Sequence, residues 1–290
     1  MKACLHCGTT FPTTVAACPA CGHGPSVRDG IAHHAPTMAS SGEGFRPEYF
    51  DELARLESRN FWFRARSQLV IDAIGRYFPR CRNFLEIGCG TGYVLMGVGQ
   101  AFPGMTLSGS ELFVEGLTYA ARRVPNAELM QMDARQIPYR EEFDLIGAFD
   151  VIEHIEDHVA VLKAIHAALV PGGGVIITVP QHPWLWSRSD DYACHVRRYE
   201  RGQMERLLEQ AGMRVVFSSS FVTILLPLLA MSRLSSRTRD NGGDPAGELK
   251  LPAIANACLY GVMQVERLLI RLGVRFPFGG TRLVCAEKTT

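Results

Sequence analysis

The chain has 290 residues, nearly half of them hydrophobic, and a formal net charge of +1. This length can hold one large domain or one domain with a small module, and the charge argues against a broadly basic nucleic-acid-binding protein. The first 21 residues contain four cysteines and no uninterrupted apolar core, so we expect no secretory signal there. The longest apolar run, 221–231, is too short to span a bilayer. The nine cysteines fit reduced thiols better than a disulfide framework, which predicts a cytoplasmic protein.

The N-terminal segment carries two identical C-x-x-C pairs that are separated by ten residues. The four cysteines are Cys4, Cys7, Cys18 and Cys21. A glycine follows each pair, and Gly8 and Gly22 help the backbone turn so that both thiolates of a pair can face one metal. Four thiolates in such pairs suit tetrahedral zinc, and a segment this short would not fold without a metal. We therefore predict a structural zinc ribbon over residues 1–25.

Residues 26–44 are rich in small side chains and include Pro36 and the pair His33-His34. This composition is typical of a flexible linker. We predict that the segment joins the ribbon to a domain beginning near residue 45, and that both histidines are exposed to solvent.

A helical pattern covers residues 46–78 and contains an unusual cluster of aromatic residues and arginines. The cluster reads F-W-F-R-A-R and begins at Phe61. Two interpretations stay open. The aromatic rings cap the core while the arginines reach out to solvent, or Arg66 faces a ligand carboxylate with Trp62 or Phe63 in the wall of the site.

The stretch 83–95 reads N-F-L-E-I-G-C-G-T-G-Y-V-L. An apolar run ends in Gly88, Gly90 and Gly92, and helix-compatible residues follow at once, which predicts a strand, a tight turn and a helix. Because glycine tolerates positive φ and has no side chain, the backbone N–H groups of such a loop can approach a bound molecule closely. The G-x-G-x-G spacing differs from the G-x-G-x-x-G of dinucleotide-binding folds.

Strand and helix patterns alternate after this loop and predict an α/β fold with a parallel sheet and helices on both faces. The predicted strands cover 106–110, 128–132, 143–149, 175–179 and 213–217, and the predicted helices cover 114–123, 157–170 and 199–211. In such sheets, ligands bind beyond the carboxyl ends of the strands. Four acidic residues lie at or near consecutive strand ends, namely Glu86, Glu111, Asp133 and Asp150.

The ordered motifs of the central region resemble those of class I S-adenosylmethionine-dependent methyltransferases and are most similar to the branch that includes quinone-pathway methyltransferases. The motifs are F-L-E-I-G-C-G-T-G, G-S-E-L-F, M-D-A, F-D-V-I-E-H-I and L-V-P-G-G-G-V-I-I-T-V-P. The resemblance covers 45–217 and the last strand, within 281–290. It implies a doubly wound, mostly parallel, seven-stranded Rossmann-like sheet and S-adenosylmethionine as methyl donor.

The same resemblance implies a role for each strand end. The glycine loop would line the methionyl part of the cofactor, with Glu86 close by, and Glu111 would accept hydrogen bonds from the ribose hydroxyls. Leu112 would pack on the adenine, whose amino group would donate to Asp133. The complete set of expected cofactor residues is Arg66, Glu86, Gly88, Cys89, Gly90, Gly92, Glu111, Leu112, Asp133, Ala134 and Asp150.

Methyl transfer requires alignment of the nucleophile with the methyl group and, for an oxygen or nitrogen nucleophile, removal of a proton. His195, in the loop after the fifth strand, is our first candidate base because histidine titrates near neutral pH. Trp184 and Trp186 of the same loop are predicted to form an aromatic wall. The alternative is that His195 only pins the loop by hydrogen bonds.

Glu153 and His154 follow the fourth strand and are further catalytic candidates, although Asp150 or His154 could also serve only to shape the turn and cap the next helix. In quinone-pathway O-methyltransferases a similar run is associated with a divalent cation. A cation bound by Asp150, Glu153 and His154 is therefore an alternative, which we do not favour.

Residues 218–280 form a large, mostly apolar helical insertion before the last strand. We consider three roles for it: a lid over an apolar acceptor, a dimer interface, or a patch that rests on the inner face of a membrane near a lipid-linked substrate. The leading prediction is an O-methyltransferase acting on a small, apolar or lipid-linked molecule. The alternatives are an RNA or protein methyltransferase that uses the ribbon for recognition, and a non-catalytic methyltransferase-like scaffold.

Overall fold

A computed structural model of the chain describes residues 1–38, 46–238 and 251–289. Eleven strands lie in these ranges: β1 (Lys2–Ala3), β2 (Thr10–Phe11), β3 (Ser26–Arg28), β4 (Ile31–His33), β5 (Asn83–Ile87), β6 (Thr106–Glu111), β7 (Glu128–Gln131), β8 (Phe143–Phe149), β9 (Leu169–Pro180), β10 (Met213–Phe221) and β11 (Thr281–Lys288). The helices are α1 (Tyr49–Leu56), α2 (Phe61–Tyr77), α3 (Tyr93–Ala101), α4 (Val114–Arg123), α5 (His158–Ala168), α6 (Arg188–Tyr192), α7 (Gln203–Gln210), α8 (Leu226–Thr238) and α9 (Ala253–Arg271), with 3-10 turns at Ile152–His154 and Pro183–Leu185.

The main sheet has the strand order β10-β11-β9-β8-β5-β6-β7-β4-β3. Pairing is parallel from β9 through β8, β5, β6 and β7 to β4, whereas β11 runs antiparallel between β9 and β10. This confirms the predicted mostly parallel α/β sheet with an antiparallel last strand. The strand order reverses beside β5, so the glycine loop that follows β5 lies where ligands bind in such sheets.

Helices cover both faces of the sheet and close two separate cores. One core includes Leu69 of α2, Leu117 of α4 and Met263 of α9. The other includes Leu162 of α5 and Leu208 of α7. Because helices cover both faces of the sheet, the side chains of the central strands are buried on both sides, and the strands are continuous apolar runs in the sequence.

The sheet has nine strands rather than the predicted seven, because the first part of the predicted linker is a β-hairpin. Strands β3 and β4 pair with each other, and β4 then adds to the exposed edge of β7, so the flexible-linker prediction is wrong for residues 26–38. The side chain of Gln131 holds this junction by bonding both the N–H and the carbonyl of Ala35, at 3.0 and 2.7 Å. Residues 39–44 of the predicted linker lie outside the described residues.

The histidine pair is also placed differently from the prediction. His33 is buried at the β4–β7 junction, and burial lowers the pKa of His34 to about 4. Neither side chain is a fully solvated linker residue, because the hairpin packs against the ribbon and the sheet edge.

The helical region before β5 is divided into α1 and α2. Asn60 separates them and caps α2, since its side-chain oxygen accepts a hydrogen bond from the Trp62 N–H at 2.9 Å. Strand β10 continues to Phe221, four residues beyond the predicted end, and the insertion then contributes α8 and α9. Residues 239–250 of the insertion lie outside the described residues.

Candidate active site

The glycine loop after β5 is shaped by backbone conformation and close packing. Gly88, Gly90 and Gly92 have φ of +62°, +52° and +77°, values that side chains rarely permit. A Cβ at Gly88 would lie 2.4 Å from a methyl group of Val151, and one at Gly92 would lie 2.9 Å from the Cα of Ala120. The loop therefore needs glycine for both reasons, and the absence of side chains lets a ligand approach its backbone closely.

A cavity of about 800 Å³ lies over this loop. Ten of the eleven residues predicted to contact the cofactor line it, all except Gly92, and so do the three predicted catalytic residues. The structure therefore brings together side chains that lie as much as 129 positions apart, from Arg66 to His195.

The acidic residues at the strand ends have distinct partners. Glu111 accepts hydrogen bonds from the N–H groups of Gly90, Leu112 and Phe113, at 3.1, 2.8 and 3.3 Å, and so ties the glycine loop to the start of α4. Asp133 is held by Arg135, whose Nε lies 3.0 Å from each carboxylate oxygen.

Glu86 is the most informative of these carboxyl groups for ligand binding. It is buried, and one of its oxygens has no hydrogen-bond partner among the described residues. Burial raises its pKa to about 8, although Arg66 opposes the shift. A buried polar atom without a partner beside a glycine cradle fits a ligand that supplies the missing hydrogen bond. The residues present therefore fit the amino-acid part of the expected cofactor.

Arg66 joins the cofactor side of the cavity to its aromatic wall. Its guanidinium forms an ion pair with Asp150, which also accepts a hydrogen bond from the Thr178 hydroxyl at 3.2 Å. The same guanidinium lies 4.6 Å from the centre of the Trp62 ring. Arg66 is buried and does not reach out to solvent, contrary to the first interpretation of the cluster, and Trp62, Phe63 and Arg66 all line the cavity. That Arg66 faces a ligand carboxylate stays a prediction.

His195 is held in a defined orientation on the other side of the cavity. Its Nδ1 lies 2.9 Å from Oδ1 of Asp190, and Arg198 binds both oxygens of that carboxylate at 2.8 and 3.0 Å. Burial disfavours the charge of Asp190, but the hydrogen bonds from His195 and Arg198 outweigh it and lower the pKa of Asp190 to about 2. An ionised carboxylate only accepts hydrogen bonds, so Nδ1 donates and Nε2 of the neutral ring is the basic nitrogen.

Glu153 and His154 stand next to that basic nitrogen. Oε1 of Glu153 lies 3.9 Å from Nε2 of His195, and neither oxygen of this fully buried carboxyl has a hydrogen-bond partner among the described residues. Burial, reinforced by Asp150, raises the pKa of Glu153 well above its ordinary value. Burial and the nearby His195 lower the pKa of His154 to about 4, which makes His154 a weak base.

The alternative cation site does not form with the predicted ligands. Glu153, His154 and His195 have ligand atoms within 4.8 Å of one another, and Asp150 is not part of this group. Asp150 is instead engaged by Arg66, whose positive charge competes with a cation for the same carboxylate.

The predicted aromatic wall after β9 is wrong. Trp184 is 52% exposed, and the indole N–H of Trp186 donates to Asp191 at 2.9 Å, with neither ring among the residues that line the cavity. The aromatic side chains that line the cavity come from other elements, and those of α1 and α2 include Phe50, Phe61 and Trp62. Trp184 lies within the 3-10 turn Pro183–Leu185, and Trp186 follows it directly.

Other parts of the wall were missed by sequence reasoning. Helix α1 lies over the glycine loop, and its Tyr49 stacks on Tyr192 of α6 with ring centres 4.0 Å apart. The insertion contributes Leu229 and Arg233 of α8. The amphipathic pattern of α1 was visible in the sequence, but no local signal indicates which element a distant helix will cover.

The N-terminal cysteines form a compact tetrad. The Sγ atoms of Cys4 and Cys21 are 3.6 Å apart, as are those of Cys7 and Cys18, and all four lie within 4.8 Å of one another. A zinc ion bound by four sulfurs at about 2.3 Å places neighbouring sulfurs about 3.8 Å apart. The geometry and the donor set therefore fit zinc.

Comparison with known proteins gives consistent matches to one family. Residues 53–217, more than half of the chain, match the family model described as methyltransferase domain. The demethylmenaquinone methyltransferase of Chlorobaculum tepidum is 28% identical over 164 residues, which are 54% of this chain and 61% of that protein. A sugar-nucleotide N,N-dimethyltransferase of Streptomyces fradiae, acting on dTDP-3-amino-3,6-dideoxy-alpha-D-glucopyranose, is 26% identical over 160 residues, or 53% of this chain and 60% of that protein.

Among solved structures, phosphoethanolamine N-methyltransferase 2 of Haemonchus contortus shares the fold, with a TM-score of 0.51 and 21% identity over 77% of this chain and 52% of the other. The chain spans about 60% of the length of the curated relatives it matches. The matched region contains the glycine loop, the acidic strand ends and His195. The chain therefore belongs to the methyltransferase domain family and has the fold of that solved methyltransferase.

Proposed function

We propose that the protein transfers a methyl group from S-adenosylmethionine to an oxygen of a small, apolar or lipid-linked acceptor, with His195 as general base. The observation that carries this proposal is the pairing of His195 with Asp190 across the cavity from the glycine loop. Because Asp190 fixes Nδ1 as the donor, the basic Nε2 is available to take the proton of an acceptor hydroxyl.

The donor side of the site rests on the glycine loop. When bound, S-adenosylmethionine supplies an electrophilic methyl group, which the loop would hold by its methionyl part. Glu111 would accept hydrogen bonds from the ribose, Leu112 would pack against the adenine, and Asp133 with the N–H of Ala134 would complete that end. Cys89 would contribute backbone only, since its thiol is buried.

Glu153 has a supporting role in this mechanism. Its raised pKa favours the neutral carboxyl, which can donate one hydrogen bond without repelling a nucleophile. An acceptor hydroxyl held between the two residues would then be positioned by a hydrogen bond from Glu153 and deprotonated by Nε2 of His195. His154 is a weaker candidate base because its pKa is about 4.

The acceptor side of the cavity supports an apolar substrate. Phe61 and Trp62 from α2, Val222 after β10, and Leu229 from α8 lie in its wall. The quinone methyltransferase among the relatives acts, by its name, on an acceptor of the same character, whereas the sugar methyltransferase is directed to nitrogen. The aromatic side chains in the wall of the cavity favour the first type of acceptor.

We further propose that the cysteine tetrad binds one structural zinc ion and that the protein works in a reducing compartment. The sulfur spacing supports the first statement. The second is supported by the cysteines, all nine of which are free thiols in the described parts of the chain.

Two measurements test the proposal. Titration calorimetry with S-adenosylmethionine should show binding that Gly88→Ala abolishes. Transfer of labelled methyl groups to a panel of hydroxylated aromatic and prenylated acceptors should then depend on His195, and His195→Ala should lower kcat about 100-fold or more while cofactor affinity is retained. Equal loss of turnover and cofactor affinity would remove His195 from the catalytic role.

A further inference from the structure

The outward side of α9 is an apolar strip without charge. We call it the docking face and define it by its exposed residues, which are Ile254, Ala257, Cys258, Gly261, Val265, Leu268 and Leu272. They recur every three or four positions, so they share one side of the helix. Ile254 and Leu272, at the two ends, are 81% and 73% exposed, which shows that the strip is open along its whole length.

The opposite side of α9 fixes the helix to the domain. Met263 and Ile270 are buried in the core, and Arg267 forms an ion pair with Asp72 of α2. Gln264 adds a hydrogen bond to the side chain of Gln68 at 2.9 Å. These contacts determine which side of α9 faces outward.

Helix α9 is long and apolar enough to cross a membrane by length and composition. Its packing against α2 argues for a different arrangement, because a spanning helix would carry Arg267 and its partner Asp72 into the hydrocarbon. A helix that keeps one polar, protein-bound side and one uncharged apolar side is suited to lie in the plane of a membrane surface.

The charged residues around the docking face indicate which kind of membrane surface it would bind. Residues 251–280 contain three arginines, Arg267, Arg271 and Arg275, and a single carboxylate, Glu266. Glu266 is fully buried and accepts hydrogen bonds from the N–H groups of Thr223 and Ile224. Arg267 is paired with Asp72, so the exposed charge beside the strip comes from Arg275 and from Arg271, whose side chain is 57% exposed and lies 3.8 Å from the same carboxylate. This exposed charge is positive, which complements an anionic lipid surface. A second copy of the chain would bring the same positive charge to this face.

The docking face adjoins the cavity through α8. The Glu266 contacts place the segment before α8 against the middle of α9. On α8 itself, Leu229 lines the cavity while Leu228 and Met231 are 53% and 68% exposed. Apolar surface therefore continues from the outside of the insertion to the wall of the acceptor site.

From these contacts we propose that α9 and the first turns of α8 dock the protein on an anionic lipid bilayer, with the cavity held at the bilayer surface. The docking itself is independent of catalysis. Delivery of a lipid-linked acceptor along α8 rests on the proposed methyl transfer.

Co-sedimentation of the full chain with vesicles tests the docking. Vesicles of phosphatidylcholine with phosphatidylglycerol should bind the protein, and vesicles of phosphatidylcholine alone should bind it more weakly. Replacing two residues of the face, Val265→Gln with Leu268→Gln, should weaken binding about tenfold or more, because two apolar side chains no longer enter the interface. The control is Val27→Gln on β3, whose side chain is 65% exposed and lies on the N-terminal hairpin.

A second variant tests the charge. Arg271→Gln, at the end of α9, should reduce the preference for phosphatidylglycerol, whereas Arg122→Gln on the exposed side of α4 should not. Thermal unfolding and S-adenosylmethionine calorimetry, run on each variant, establish that the fold and the donor site are intact.

The proposal is overturned if the wild type binds neither kind of vesicle, or if the Val265/Leu268 variant binds as tightly as the wild type. It is also overturned if sedimentation velocity shows a dimer that this variant dissociates, since a second copy then covers the face. Failure of the wild type to bind S-adenosylmethionine would contradict the proposed function and leave the vesicle result standing.

Discussion

Nδ1 of His195 lies 2.9 Å from the carboxylate of Asp190, which is itself bound by Arg198 at 2.8 and 3.0 Å. The buried carboxylate of Asp190 therefore binds both the guanidinium of Arg198 and the imidazole of His195. The arrangement fixes the ring's tautomer and turns Nε2 toward the cavity. It also explains how a histidine in an irregular loop can be positioned well enough for proton transfer.

This pairing predicts a specific defect in Asp190→Asn. The amide can still occupy the site but no longer holds the ring as a charged acceptor, so kcat should fall about tenfold to 100-fold with cofactor affinity retained. The pH dependence of kcat should change as well, because the substitution removes a negative charge 2.9 Å from the ring.

The matched control is Asp191→Asn, since the neighbouring carboxylate binds the Trp186 indole outside the cavity. It should leave kcat and its pH profile unchanged. If Asp190→Asn also leaves the profile unchanged and lowers only the melting temperature, Asp190 has a structural role alone.

The glycine loop permits a test that separates backbone strain from steric exclusion. Gly88→Ala combines a φ of +62° with a Cβ only 2.4 Å from Val151, whereas Gly172→Ala has a similar φ of +73° and open space around its Cβ. The strain costs each variant about 1–2 kcal/mol of unfolding free energy. The clash should cost Gly88→Ala about 1–3 kcal/mol more.

Urea unfolding measures this difference, and calorimetry measures its effect on the donor site. Gly88→Ala should lose S-adenosylmethionine binding, and Gly172→Ala should keep it. Equal free-energy losses in the two variants would show that Val151 moves aside and that the loop is not sterically fixed.

The sequence was sufficient to predict the central sheet and most of the residues that line the cavity beside the glycine loop. Periodicity located the strands, and the glycines with Glu111 mark a backbone geometry that local sequence determines. The acceptor side depended on long-range packing, so Trp184 and Trp186 were assigned to the wrong side of their loop. The hairpin β3–β4 was missed because its short strands are stabilised by the edge of β7 rather than by their own composition.

Glu86 predicts how the stability of the ligand-free protein depends on pH. Burial, opposed by Arg66, raises its pKa from 4.5 to about 8, so the folded state keeps a proton that the unfolded state releases above about 4.5. Stability contributed by this group is present below the unfolded pKa and is lost as the pH rises toward 8. The wild type should therefore lose stability relative to Glu86→Gln between about pH 5 and 8.

Melting temperatures of the two proteins over this pH range provide the measurement. The difference between them should grow steadily with pH, and Glu142→Gln, at a partly exposed carboxyl, should not reproduce it. A constant difference between wild type and Glu86→Gln would mean that Glu86 is ionised in the folded protein at all of these pH values.

The ribbon should stabilise the donor site through the β4–β7 junction. The amide nitrogen of Gln131 donates to the carbonyl of Ala35 at 2.7 Å and to that of Leu112 at 3.1 Å, which connects the hairpin after the ribbon to the expected adenine wall. If zinc is removed by a chelator or by Cys4→Ser, the melting temperature should fall by several degrees. Affinity for S-adenosylmethionine should weaken roughly tenfold, which corresponds to about 1.4 kcal/mol.

The control is Cys258→Ser, which replaces an exposed thiol on α9. This variant should bind a full equivalent of zinc and should bind the cofactor with wild-type affinity. Zinc loss without any change in cofactor affinity would show that the ribbon and the donor site are energetically independent.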